Sequence, residues 1–352
     1  NTFLSSIILL LLGLYLILLS LAMKGNLIAG IFFLRGEFQS AFFLTILLIL
    51  GIHKQNRLLD SQFNMFLTLW WFTFSFIVFE SFLYMLSGKG IYLRDMATGF
   101  FGPGHHADVG IFSMLIFMYG LTLFENNKRK ASIYTLSALF IMIWSEFKTG
   151  LIFIPIATLI TANMNLKTKI FFSTLISLCT FIGLEYIINV NWSTLIRSQT
   201  VSWQGSGGRL FLIGWILSRV IQFAPWFGFG PGSVISSTAR FFNGQYFSEI
   251  DSFGFTGGVP QSVIIIGETG FLGIVCMFIL IFLLWKFGNK NRQLTTASIL
   301  FMAYLGVFAY SILEMQISTV LFVVFYMTQC FGENQSIKAL DCRVSQKNGC
   351  LT

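Results

Sequence analysis

An all-α membrane fold, one polytopic domain of about ten transmembrane helices, is predicted by three features of this sequence. Of its 352 residues, 55% are hydrophobic and only 10% are charged, whereas soluble domains carry about 25% charged residues. Mean hydropathy is +0.78. Apolar runs approaching the ~20 residues that cross a bilayer recur along the whole length, each closed by a polar stretch.

Taken in chain order, run 3–23 is long enough to span. No small-residue cleavage site follows it, so it reads as a membrane helix rather than a cleaved leader. Residues 27–34 are apolar but too few to cross. Further spans are expected near 38–53, 62–86, 109–124, 131–147, 149–163 and 169–189, and then near 262–285, 296–313 and 317–331. Runs 38–53 and 149–163 are short, which predicts a tilted, extended or re-entrant segment. The tail 332–352 is polar and reads as loosely ordered. No repeat of fixed period, coiled coil or soluble domain is evident.

Residues 190–262 form a long polar connection between two spans. Within it, 210–223 is apolar on nearly all sides yet too short to span, so a helix lying at the membrane–water boundary is expected. Ser218, Arg219 and Gln222 fall on one side of that helix at helical spacing. Pro225 ends it, and Gly228, Gly230 and Gly232 suit tight backbone turns.

Basic residues in short loops set orientation. Threading ten spans alternately puts thirteen of the 22 Lys and Arg on one side. They are Lys54 and Arg57, Lys128 to Lys130, Lys167 and Lys169, Lys286, Lys290 and Arg292, and Lys338, Arg343 and Lys347. That side is assigned as cytoplasmic, with both termini. Nine cations then face outward, among them Arg94, Lys148, Arg197, Arg209, Arg219 and Arg240, against the topological rule. Of the five cysteines, Cys179 and Cys276 lie in spans and Cys330, Cys342 and Cys350 lie at or beyond the last one. None is in the long outer loop, as expected of a chain that avoids stray thiols on an oxidising side.

Several polar residues sit where chemistry is plausible. Guanidinium groups bind phosphate oxygens in bidentate fashion and stay charged. Arg209 follows Gly205-Ser206-Gly207-Gly208, where backbone approaches a ligand closely, and Arg197 lies twelve residues earlier. The pair reads either as contacts to lipid headgroups and loop acids or as a clamp on a lipid-linked pyrophosphate. Glu146 and Lys148 interrupt two apolar runs and read as functional membrane-depth ions or as a mutual ion pair in a short loop. His105, His106 and Asp108 suggest a general base, or a helix start capped by Asp108, more than a metal site. Glu80, Glu185 and Glu268 occupy apolar context, as hydrogen-bonded structural glue or for proton-coupled transport. No Gly-Lys-Ser/Thr follows the 228–232 glycines, so they resemble no nucleotide loop.

Four pieces of this chain resemble the O-antigen polymerase/O-antigen ligase superfamily of bacterial membrane glycosyltransferases. The strongest is Gly208-Arg209, Trp215 six residues on, then Pro225-Trp226-Phe227-Gly228-Phe229-Gly230-Pro231-Gly232. This run is similar to the family's Gly-Arg…Trp…Pro-x-x-Gly-x-Gly-x-Gly. Gln261 and Glu268-Thr269-Gly270-Phe271-Leu272-Gly273 resemble its Glu-x-Gly-x-x-Gly at the start of the following span. Ser145-Glu146-Phe147-Lys148-Thr149 is similar to its Ser-x-Ser-Arg-Thr turn, with Lys for Arg and Phe for the second Ser. Gly102-Pro103-Gly104-His105 sits where an early outer loop has a Gly- and Pro-containing turn. Ligases of the family carry a His eleven residues before the Gly that matches Gly270; Val259 stands there instead. That departure favours a polymerase, and leaves Glu249, Asp251 or His105/His106 to act if a base is needed.

The resemblance implies a GT-C-type fold and an inverting, metal-independent glycosyl transfer on the periplasmic face of the bacterial inner membrane. The donor would be a growing glycan on undecaprenyl pyrophosphate and the acceptor the terminal sugar of another lipid-linked repeat. Arg209 is the expected main pyrophosphate ligand, with Arg197 and Lys148 assisting. Arg94, Arg219 and Arg240, together with Gly230, Gly232, Gln261 and Glu268, are expected in substrate binding. Trp203 and Trp226 read as sugar-stacking or interfacial anchors. No cofactor, metal or nucleic acid is expected; membrane lipid and a chain-length regulator protein are the expected partners. The alternatives are a ligase delivering the glycan to lipid A-core and a lipid-linked oligosaccharide flippase. A flippase is disfavoured because no repeated halves are visible.

Overall fold

The structure, a computed structural model, describes residues 56–86, 101, 106–145, 147–162, 165–182, 209–228, 261–308 and 316–330. Among these residues every regular element is helical. In chain order they are α1 (Asn56–Leu86), α2 (His106–Thr122), α3 (Lys128–Trp144), α4 (Lys148–Thr161), α5 (Leu166–Ile182), α6 (Arg209–Phe223), α7 (Gln261–Phe287), α8 (Arg292–Phe308) and α9 (Gln316–Phe325), which runs into a π-helical turn, Tyr326–Cys330. Every predicted run from 62–86 onward overlaps a helix, as does 210–223, although α1 starts six residues earlier than expected and residues 183–189 and 309–313 lie outside the described residues. Spans 3–23 and 38–53 and the tail 332–352 lie outside the described residues.

Local chemistry sets the boundaries. Asn127 caps α3, its Oδ1 accepting from the Lys130 amide at 3.0 Å, which satisfies one of the amides a helix start leaves orphaned. Asn291 caps α8 in the same way through the Leu294 amide, at 3.1 Å. Helix α4 is only 14 residues long and carries Pro155 inside; at 1.5 Å per residue it reaches about 21 Å, short of a ~30 Å hydrocarbon core. Hydroxyls in these apolar helices donate to their own preceding turn. Ser113 to Val109 (2.7 Å), Thr158 to Ile154 (2.9 Å) and Thr161 to Ala157 (2.6 Å) are buried examples. A polar group inside an apolar helix thereby needs no water.

Helix α2 is buried along 107–118 on all sides, as expected of a helix apolar all round. It packs on α3, α4, α8 and α9, and rings from α1 close over it. Phe66 and Trp70 stand edge-on to Phe112 at 4.9 and 5.3 Å. Outward faces are apolar too. Phe72, Phe76, Phe79 and Leu83 on α1 and Phe271, Val275, Phe278 and Phe282 on α7 are exposed at helical spacing. Continuous apolar stripes of this kind are rarely left to water. Two helical stretches, Ser61–Leu83 and Thr269–Phe287, are long and apolar enough to cross a membrane.

Contacts between helices order the two ends of the bundle. The Phe147 ring, just before α4, lies against Gly110 near the start of α2. Asp108, also at the start of α2, reaches Ser318 at the start of α9. At the far end of α9, the Cys330 carbonyl accepts from the Lys290 amide at 3.0 Å and the Thr328 carbonyl from Lys290 Nζ at 2.6 Å. Phe63 of α1 meets Tyr119 near the end of α2. The turns after α2, α4 and α7 therefore share one end, and with them Lys128, Arg129, Lys130, Lys167, Lys169, Lys286, Lys290 and Arg292. Three of the five basic groups assigned to one side from charge alone gather at one end of the described bundle; Lys54 and the tail 332–352 lie outside the described residues.

Candidate functional site

The best-defined candidate site lies where the end of α6 meets a break in α7. Helix α6 buries Ile216 and Val220 and turns Ser218 and Gln222 outward with Arg219 half-buried beside them, the shared side expected from spacing. Pro225 cannot continue the helix, and the chain makes a further turn in which the Gly228 amide donates to the Ala224 carbonyl at 2.9 Å. Gly228 has φ 64°, the left-handed conformation that favours glycine.

Helix α7 is interrupted at Gly270, whose φ of 61° and ψ of −151° are not helical. The break frees the amides that follow, and α6 takes them. Phe271 N–H donates to the Pro225 carbonyl at 3.0 Å and Leu272 N–H to the Trp226 carbonyl at 3.2 Å. Orphan amides of a restarted helix thus meet carbonyls left over past the end of another. The crossing is backbone on backbone. A Cβ at Gly270 would lie 2.6 Å from Gly228 N, 2.8 Å from Pro225 O and 2.9 Å from Trp226 C. Two motifs quoted separately from the sequence, Pro225 to Gly228 and Gly270 to Gly273, are one structural unit.

An apolar recess of about 180 Å³ opens beside this junction, walled by Trp226, Phe227, Phe271, Leu272 and Val275. Trp226 is 69% exposed, consistent with either role expected for it. Arg209 opens α6 and Arg219 follows ten residues later, about 15 Å along the axis. Glu268 lies two residues before the break. Gln261 is the first residue of α7 and is buried, and Ser262 Oγ at 3.0 Å from the Val307 carbonyl ties the start of α7 to the end of α8.

Lys148 is positioned by a different set of contacts. It is the first residue of α4, directly after Phe147, whose ring is 1% exposed. A Cβ at Gly110 or at Gly150 would come within 2.2 Å of that ring. The phenyl group plugs the space that two glycines leave, and also meets Phe301 edge-on at 6.4 Å. Phe147, within Ser145-Glu146-Phe147-Lys148-Thr149, is thus held in an apolar socket that two distant glycines leave open.

Asp108 stands in the first turn of α2, which begins at His106. Its carboxylate, 3% exposed, accepts from Ser318 N–H at 2.9 Å and from Ser318 Oγ. A negative charge there suits the start of α9, the positive end of that helix. Nothing in the sequence pairs these two residues, 210 positions apart.

Arg94, Arg197, Arg240, Gly230 and Gly232 lie outside the described residues, as do His105, Glu146, Glu185, Trp203, Glu249 and Asp251. Comparison with family models, with curated proteins and with solved structures returns no match for this chain.

Proposed function

We propose that this chain is a polytopic membrane glycosyltransferase of the O-antigen polymerase type. On this reading it has about ten spans and works at the outer face of a bacterial inner membrane. The acceptor sugar hydroxyl attacks the anomeric carbon of a glycan on undecaprenyl pyrophosphate. The new glycosidic C–O bond forms with inversion as the old anomeric carbon–phosphate oxygen bond breaks. The diphosphate leaves with that electron pair, and the hydroxyl proton passes to a base. Charge therefore grows on phosphate oxygens in the transition state, where preplaced cations are most effective. Arg209 is assigned to the diphosphate with Arg197 and Lys148 assisting; Arg94, Arg219 and Arg240 are further cations for the substrate.

One observation carries the reading: the Pro225–Gly228 turn and Gly270, the two motifs of strongest resemblance, interlock through backbone contacts only glycine permits. Segregation of basic residues to one end of an apolar bundle supports the membrane part of it. The test is the glycan ladder of a deletion strain. A polymerase deletion leaves core capped with one repeat, and the wild-type gene restores long chains. Arg209→Ala should insert normally yet restore none. Full-length glycan from that variant refutes the assignment. Bare core with accumulating lipid-linked polymer would indicate a ligase, and repeats stranded on the inner leaflet a flippase.

A further inference from the structure

The turns after α2 and α4 lie side by side at the basic end, joined by Phe124 and Phe172 with ring centroids 6.2 Å apart. The helices that follow them open on Lys128, Arg129, Lys130, Lys167 and Lys169, against a single acid in the turns, Glu125. Lys128, Arg129, Lys130 and Lys167 are exposed, while half-buried Lys169 reaches the Leu159 carbonyl at 3.4 Å. These cations open α3 and α5, positions where a helix itself disfavours positive charge, so local helix stability does not account for them. Directly along α5 from this corner runs an outward stripe, Phe171, Leu175 and Leu178, exposed by 63%, 43% and 54%. These residues are spaced four and three apart on one face and cover about 10 Å of helix.

We infer that this corner binds an anionic phospholipid. The phosphate sits among Lys128, Arg129, Lys130 and Lys167, and an acyl chain lies along Phe171, Leu175 and Leu178. Cations alone would serve any phosphate; the apolar stripe that begins where the cations stop selects a phosphate with a hydrocarbon tail. The inference rests on the membrane reading of the bundle and on no part of the glycosyl-transfer reading, so absent transfer activity leaves it standing.

The full chain, purified in neutral detergent, is offered phosphatidylglycerol or phosphatidylcholine, and bound lipid is counted by native mass spectrometry. Phosphatidylglycerol should be retained preferentially. Lys167→Gln should lower that preference about fivefold, the effect of one surface cation on an anionic lipid, while Lys167→Arg keeps it. Lys286→Gln, at the same end but outside the corner, should leave it unchanged. Phe171→Ser with Leu175→Ser should weaken retention of both lipids. Thermal unfolding without lipid identifies any variant that has lost its fold, and in that case Lys128→Gln replaces Lys167→Gln. Equal retention of the two lipids, or an unaltered preference in Lys167→Gln (or in the Lys128→Gln that replaces it), overturns the inference. Displacement of phosphatidylglycerol by millimolar inorganic phosphate does so as well, since it marks a headgroup-only anion site.

Discussion

Replacing Gly270 by alanine isolates the contact on which the α6–α7 unit depends. Its φ of 61° and ψ of −151° lie in a region that residues with a Cβ enter at a cost of roughly 1–3 kcal/mol. The new methyl would also stand 2.6 Å from Gly228 N and 2.8 Å from Pro225 O, backbone atoms that move only if the turn undocks. Undocking breaks the hydrogen bonds from Phe271 and Leu272 to Pro225 and Trp226, each contributing about 1 kcal/mol. The local interaction should therefore weaken by roughly 2–5 kcal/mol. Amide hydrogen exchange in detergent reads this directly. Protection of Phe271 and Leu272 should fall at least about thirtyfold, the equivalent of 2 kcal/mol, while amides in α2 stay protected. Gly214→Ala is the matched control, because a Cβ there meets nothing within 4 Å. In a helix interior that change should be neutral or stabilise by up to ~1 kcal/mol. Unchanged protection at Phe271 and Leu272 in Gly270→Ala would refute the interlock.

Phe147→Ala should destabilise by about 3–5 kcal/mol, the usual cost of removing a buried ring, measured by thermal unfolding in detergent. Gly110→Ala should be similarly harmful alone but should add little to Phe147→Ala, because the methyl then fills the vacated socket; full additivity in the double-mutant cycle counts against that packing. Asp108→Ala should cost more than Ser318→Ala, since the first strands a buried α9 amide and the second leaves it bonded. A difference of about 1 kcal/mol or more is expected, and equal unfolding midpoints would contradict it.

Both halves of the α6–α7 junction are legible in the sequence, but as separate pieces. Pro225 after a short apolar helix and Gly270 near the start of a span each announce themselves by residue type. The partner of Asp108 does not: a place at a helix start says nothing of Ser318, far along the chain, whose N–H its carboxylate accepts. Phe147 looked like a blemish in a motif until the two glycines facing it were seen in space.

Among the described residues, what the sequence determined by itself is where the helices run and which of their turns are basic. Helix hydrogen bonds link residues four apart, so apolar runs, Asn caps and Pro225 state the boundaries locally. The basic turns after α2, α4 and α7 share an end of the described bundle. Tertiary structure alone decided that Gly270 receives the Pro225–Gly228 turn, that Phe147 fills the gap between Gly110 and Gly150, and that Asp108 meets Ser318. Such pairings depend on surfaces matching at van der Waals distance between distant segments, and close packing of that kind leaves no periodic trace in the chain.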